Sequence, residues 1–251
     1  WEKLSKLLKL SVVGDEDKMK WAREFVDAYG RTAEKNPYIA QVSPFLGPSG
    51  RIEWVWSKDT ALFFAKTETT VSQYLGCVEQ EGCDSWSHET VSDSKSCTAG
   101  REEGGNLPMT CISVNGAKQF CQWVGGRLPS VEEWEAEASA GGKRSSPWGD
   151  QGPTCERAVI SDPRFDLEGC DRDGAWQVCS RTAGNSVSGV CDMIGNVEEL
   201  TSKHTWWGQV VCGGSWSTRR FDELPSRCKG HRNPDDPSAY LGFRCVMSSS
   251  P

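Results

Sequence analysis

Cys191-Asp-Met-Ile-Gly-Asn-Val-Glu-Glu-Leu200, then Gly213-Gly-Ser-Trp216, then Leu241-Gly-Phe-Arg-Cys245 is the run that decides the fold. Each piece has a local reading. Adjacent glycines at 213 and 214 let two backbones approach closely, and the indole of Trp216 then enters the interior. Arg244, set in an apolar terminus, calls for a buried ion pair or carbonyl partners. Asp192, Asn196 and Glu199 surround Gly195 and Val197, whose carbonyls a tight turn can aim at one point. Hard cations such as calcium take six to eight oxygen ligands of this mixed kind. The bland alternative is a solvated turn with a capping Asp.

Working outward, the whole chain has 251 residues, enough for one large domain with a small extension. A formal charge of −7 gives no basic face for nucleic acid. No apolar run is long enough for a transmembrane segment. Gly (26) and Trp (12) are abundant, which suits a loop-rich fold whose buried area comes largely from aromatics. The twelve cysteines show no CxxC pair, so they read as six disulfides in an oxidising compartment and not as zinc or redox motifs. Their connectivity does not follow from spacing.

Residues 1–50 read as a helical N-terminal extension and linker. They are free of cysteine and rich in Lys and Glu, with apolar stripes at Trp1, Leu4, Leu7, Leu8 and at Ala22, Phe25, Val26, Tyr29. Residues 51–251 change to short strands, turns and cysteines. Leu62 to Val71 predicts a strand leading into a helix near Ser72. Residues 83–106 read as a polar surface loop pinned by Cys83 and Cys97. Ser113 caps a helix with Val114, Ala117, Phe120, Cys121 and Val124 inward. Ser130 and Glu133 have capping-box spacing ahead of Trp134 and Ala138. No strong helix follows Gly141.

The motif order resembles the formylglycine-generating enzyme (sulfatase-modifying factor) family over residues 55–246. The resemblance rests on Lys66-Thr-Glu-Thr-Thr-Val-Ser-Gln-Tyr74, on Pro108 to Val114 as a strand before a core helix, on Phe120-Cys-Gln-Trp-Val-Gly-Gly-Arg-Leu-Pro-Ser-Val-Glu-Glu-Trp-Glu135, on Pro147-Trp-Gly-Asp150, and on the three runs above. It implies an α+β, irregular, loop-rich fold related to the C-type lectin fold. It implies structural Ca2+ bound by the side chains of Asp192 and Glu199 and the carbonyls of Gly195 and Val197. A second family calcium site would fall near residues 156–166, with its ligands left unassigned. The family pairing implies Cys121–Cys245. Proximity adds Cys155–Cys170, Cys179–Cys191 and Cys212–Cys228.

Enzymes of that family use two cysteines separated by four intervening residues as copper(I) ligands, and soft thiolates suit that ion. Here those positions hold Thr218 and Glu223, which cannot make a bis-thiolate site, so no copper is expected. Asp222, Glu223, Arg219, Arg220 and His231 form a polar cluster, with Trp206, Trp207 and Trp216 beside it. Acid–base use of a Glu/His pair competes with a solvated surface. The resulting expectation is a secreted, periplasmic or cell-surface bacterial domain without catalytic residues. It would bind an unknown protein or glycan ligand through Trp207, Trp216, Thr218, Arg219, Arg220, Glu223 and His231 in loops 84–106 and 217–240. The rivals are a non-standard oxidase and a diversified ligand-binding protein with a variable C-terminal region.

Overall fold

The computed structural model describes residues 52–85, 97–98, 104–219, 226–228, 230–233 and 238–248. The N-terminal helical extension and most of the 84–106 loop lie outside the described residues.

Strand β1 (Trp54–Ser57) turns into β2 (Leu62–Ala65), and β2 also pairs with β7 (Val246–Ser248), giving an antiparallel sheet in the order β1-β2-β7. The second sheet contains β3 (Glu198–Thr205), β4 (Gly208–Cys212), β5 (Gly230–Arg232) and β6 (Leu241–Gly242) in the order β5-β4-β3-β6. Only the β3–β6 pair is parallel. Strand β2 is buried on both faces, which explains its unbroken apolar run. Phe63 and Ala65 enter one core cluster with Tyr74, Phe120 and Phe243, while Leu62 and Phe64 enter another with Trp134 and Ile194.

Among the described residues, three helices of two turns or more sit beside these strands. Helix α1 (Val71–Glu79) starts at a capping box in which Gln73 N donates to Thr70 Oγ1 (3.3 Å) and Thr70 N to Gln73 Oε1 (2.9 Å). Helix α2 (Val114–Trp123) is capped by Ser113 Oγ, which accepts from Gly116 N. Its inward side is the one expected, with Val124 as the C-cap residue. Helix α3 (Val131–Ala138) carries the Ser130/Glu133 box, and Arg127 grips the same Glu133 carboxylate through both terminal nitrogens at 2.7 and 2.6 Å. Among the described residues beyond Gly141, only a single turn (Glu168–Asp171) and a 3-10 turn (Thr182–Gly184) are helical.

One expectation needs correcting. Pro108 to Val114 is not a strand; it makes an isolated bridge between Pro108 and Thr70 and otherwise runs irregularly. Here Met109 N donates to Thr69 O and Cys111 N to Ser238 O, so the backbone groups are satisfied by two different segments and no ladder extends.

All twelve cysteines are bridged: Cys77–Cys83, Cys97–Cys111, Cys121–Cys245, Cys155–Cys170, Cys179–Cys191 and Cys212–Cys228. Cys83 and Cys97 pin the two ends of the long loop to the body rather than to each other.

Candidate functional site

Two regions carry chemistry. The first is a buried charge cluster beneath the turn Asp192 to Glu199. Arg244 is fully buried and donates through Nε and Nη2 to Glu199, both at 2.6 Å. Its remaining N–H groups reach the carbonyls of Ala65 (3.1 Å), Lys66 (3.2 Å) and Cys191 (2.8 Å). Trp134 Nε1 adds a bond to Glu199 Oε2 at 2.9 Å. One guanidinium thereby ties β2, β3 and the loop at Cys191 together, and α3 joins through its indole.

Around this pair stand two more buried carboxylates, Glu68 and Asp192. Asp192 accepts a short hydrogen bond from the Cys179 amide. Glu68 Oε1 accepts from Asn196 Nδ2 (2.9 Å), and Asn196 Oδ1 accepts from the Trp176 amide (2.9 Å). Glu68 Oε2 has no partner among the described residues. Burial pushes the Asp192 carboxyl up to about 6, and burial, then repulsion from Asp192, pushes Glu68 well above the usual carboxylate range. Asp192 (φ 54°) and Asn196 (φ 57°) both hold left-handed backbone on either side of Gly195 (φ 79°), where a Cβ would collide with the Val159 carbonyl.

The fit to a calcium ion is mixed. In charge, three carboxylates face one guanidinium, and the unpartnered Glu68 oxygen lies among them. In geometry, Glu199 is committed to Arg244 and Trp134, and among the described residues no three acidic, histidine or cysteine side chains converge as a ready cage. The oxygens left for a cation are those of Asp192 and Glu68 and the carbonyls of the turn.

The second region is a groove of about 500 Å³ beside Thr218. Its lip is Ser161 to Glu168, with Arg219 across from it. Phe165 and Leu167 are 41% and 50% exposed, unusual for their size. Thr218 closes a turn: its hydroxyl accepts from Ser215 N (2.9 Å) and its carbonyl from Ser161 N (3.1 Å). Arg219 reaches Glu168 at 3.1 Å. Arg164 holds Asp162 through Nε and Nη2, the latter at 2.6 Å, and these bonds lower the Asp162 carboxyl to about 2. Cys212–Cys228 staples the two ends of the segment that carries Thr218. The groove can therefore hold a ligand between an apolar lip and a charged wall; no thiol faces it.

The other site residues divide. Trp216, grouped by sequence with surface aromatics, is 4% exposed; it packs on Tyr240 with ring centroids 4.7 Å apart and donates to Ala239 O. It is a core residue and offers no face to a ligand. Trp207 is 76% exposed, at the β3–β4 turn. Arg220, Asp222 and Glu223 lie outside the described residues, and of His231 only its backbone place in β5 is described. Sequence reasoning missed Glu68, although the Lys66 to Tyr74 run was quoted for the family likeness. It also missed the Ser161 to Glu168 lip, where a Phe and a Leu among acids were the available signal.

The model of the sulfatase-modifying factor enzyme 1-like domain matches residues 56–249. The formylglycine-generating enzyme of Mus musculus is 29% identical over 171 residues, covering 58% of this chain and 45% of that one. The inactive C-alpha-formylglycine-generating enzyme 2 of Mus musculus is 32% identical over 162 residues, covering 60% and 52%. The chain thus spans about half the length of the curated relatives it matches. Among solved structures, PvdO from Pseudomonas aeruginosa has the same fold, with a TM-score of 0.57 at 19% identity over 74% of this chain and 79% of that one.

Proposed function

Because the chain belongs to the sulfatase-modifying factor enzyme 1-like family and yet keeps no free cysteine, we propose that it is a ligand-binding domain that retains the scaffold without the copper oxidase reaction. The carrying observation is that all twelve cysteines are consumed by six bridges; the family resemblance adds Thr218 at the position where an oxidase would present its first thiol. Soft copper(I) has no soft ligand beside this groove. The ligand, a protein or a glycan, is held between the Phe165/Leu167 lip and the Arg219 wall. Six bridges fit an oxidising compartment, and we assign the domain to a secreted, periplasmic or cell-surface setting. Among the described residues no helix is long and apolar enough to cross a membrane.

The same reading includes a structural calcium held by Asp192, the free Glu68 oxygen and the carbonyls of Gly195 and Val197. Glu199 then acts through Arg244 rather than on the ion. Calcium supplies no chemistry here beyond neutralising two surplus carboxylates and pinning the turn to β2.

The deciding experiment is mass spectrometry of a Cys-x-Pro-x-Arg peptide incubated with copper-loaded protein and reductant. No conversion above a protein-free control is expected. Conversion overturns the non-oxidase reading. A pull-down with the Phe165→Ser/Leu167→Ser variant as control then tests the groove: captured ligand should be lost with the variant.

A further inference from the structure

The turn between β3 and β4 meets its need for left-handed backbone at Gly208 (φ 120°), so its two central positions carry no demand for Gly or Asn. Here it holds Trp206 and Trp207, between the paired Thr205 and Gly208. The two indoles are 89% and 76% exposed, the highest values among the exposed large hydrophobics. They touch each other edge to face, centroids 6.0 Å apart at 75°, and are buried against nothing else. The base of the hairpin, by contrast, is fixed: Leu200 and Thr201 are buried, and Ser202 N donates to Pro129 O. Two large apolar side chains thus stand exposed at a firmly mounted tip where neither the turn nor packing requires them, which marks a functional device.

Charge and shape identify the occupant. From Leu200 to Gln209 there is no acidic residue, although the whole chain carries −7. Lys203 and His204 flank the tip and face solvent, and Lys203 approaches Glu132 only to 4.0 Å. The 75° angle denies a sugar the flat platform it would stack on. A convex two-residue tip needs no matching cavity in a fluid medium, and an indole, apolar in its ring and polar at its N–H, settles at the headgroup level of a bilayer. We propose that the β3–β4 tip is a membrane-surface contact: Trp206 and Trp207 enter the interface of an anionic bilayer, while Lys203 and His204 face its phosphates.

Sedimentation with phosphatidylcholine vesicles, with and without phosphatidylglycerol, tests this on the whole chain. Wild type should partition onto the anionic vesicles, less so at high salt. Trp206→Ala/Trp207→Ala should lower the partition coefficient roughly tenfold or more. Val187→Ser, an exposed apolar change elsewhere, should leave it unchanged. Vesicles with brominated acyl chains should quench part of the wild-type tryptophan fluorescence, and the double variant should lose that quenching. The proposal is overturned by a wild type that stays in the supernatant. Undiminished binding or quenching in the double variant overturns it too. So does a double variant that alters only the sedimenting mass of the free protein, since the occupant is then a second copy.

Discussion

Arg244 shows how one residue can hold distant parts of the chain and still add little net stability. Its five donations are all satisfied, but the pair with Glu199 is dry, and the cost of desolvating both ions offsets most of the attraction. Breaking one side differs from removing both. Glu199→Gln should cost about 3–5 kcal/mol in urea unfolding, whereas Glu199→Leu/Arg244→Met should recover a large part of that loss. Equal losses in single and double variants would mean that the pair matters only through volume. Arg244 was legible as a buried ion pair or carbonyl ligand, and it is both. Glu199 was not legible as its partner, because an acid beside a glycine turn reads equally as a metal ligand. The ion itself is tested at Asp192. Calcium should raise the melting temperature of the wild type by mass action, chelator should lower it, and Asp192→Asn and Glu68→Gln should each abolish the response. An unchanged wild-type melting temperature, with no metal by elemental analysis, removes calcium from this site.

At the scale of elements, capping was the best-read signal and strand placement the worst. Ser130 and Glu133 were recognisable as a box because both partners are local, three positions apart in the chain. The Thr70/Gln73 box obeys the same rule, and only the expectation of a helix starting near Ser72 hid it. Ser130→Ala should cost about 1 kcal/mol, read by chemical denaturation, and should also loosen Arg127, which shares Glu133. Pro108 to Val114 reads as a strand through the family resemblance, but its hydrogen bonds go to two separated segments, and no local pattern encodes that. The groove lip adds a pH signature. Arg164 holds the folded Asp162 carboxyl at about 2, below its unfolded value. A depressed carboxyl stabilises the fold above its unfolded pKa and loses that contribution as pH falls from about 4 to about 2. With Arg164 exposed, solvent screening keeps the effect small. Asp162→Asn should flatten that part of the stability profile; an unaltered acid limb would assign the acid sensitivity elsewhere.

At the scale of the molecule, the described residues have few long elements to hold themselves closed, and the bridges take over that task. Among them the longest helix has ten residues and the longest strand eight, so much of their order lies in loops whose ends must be fixed. Cys121–Cys245 joins α2 to the run just before β7 across 124 residues, whereas Cys155–Cys170 spans 15. In the chain-entropy model the constraint on the unfolded state grows with the logarithm of loop length, giving about 5 kcal/mol for the long loop and about 3 kcal/mol for the short one. Both pairs are buried, so replacing each by Ala carries a similar packing penalty, and the difference between the two double variants isolates the loop term. Cys121→Ala/Cys245→Ala should therefore unfold at lower urea than Cys155→Ala/Cys170→Ala by about 2 kcal/mol, with the slope of the transition increased in both as their unfolded states expand. Equal midpoints would show that the long bridge is redundant with the strand pairing of β2, β7 and Arg127, which already brings the same ends of the fold together.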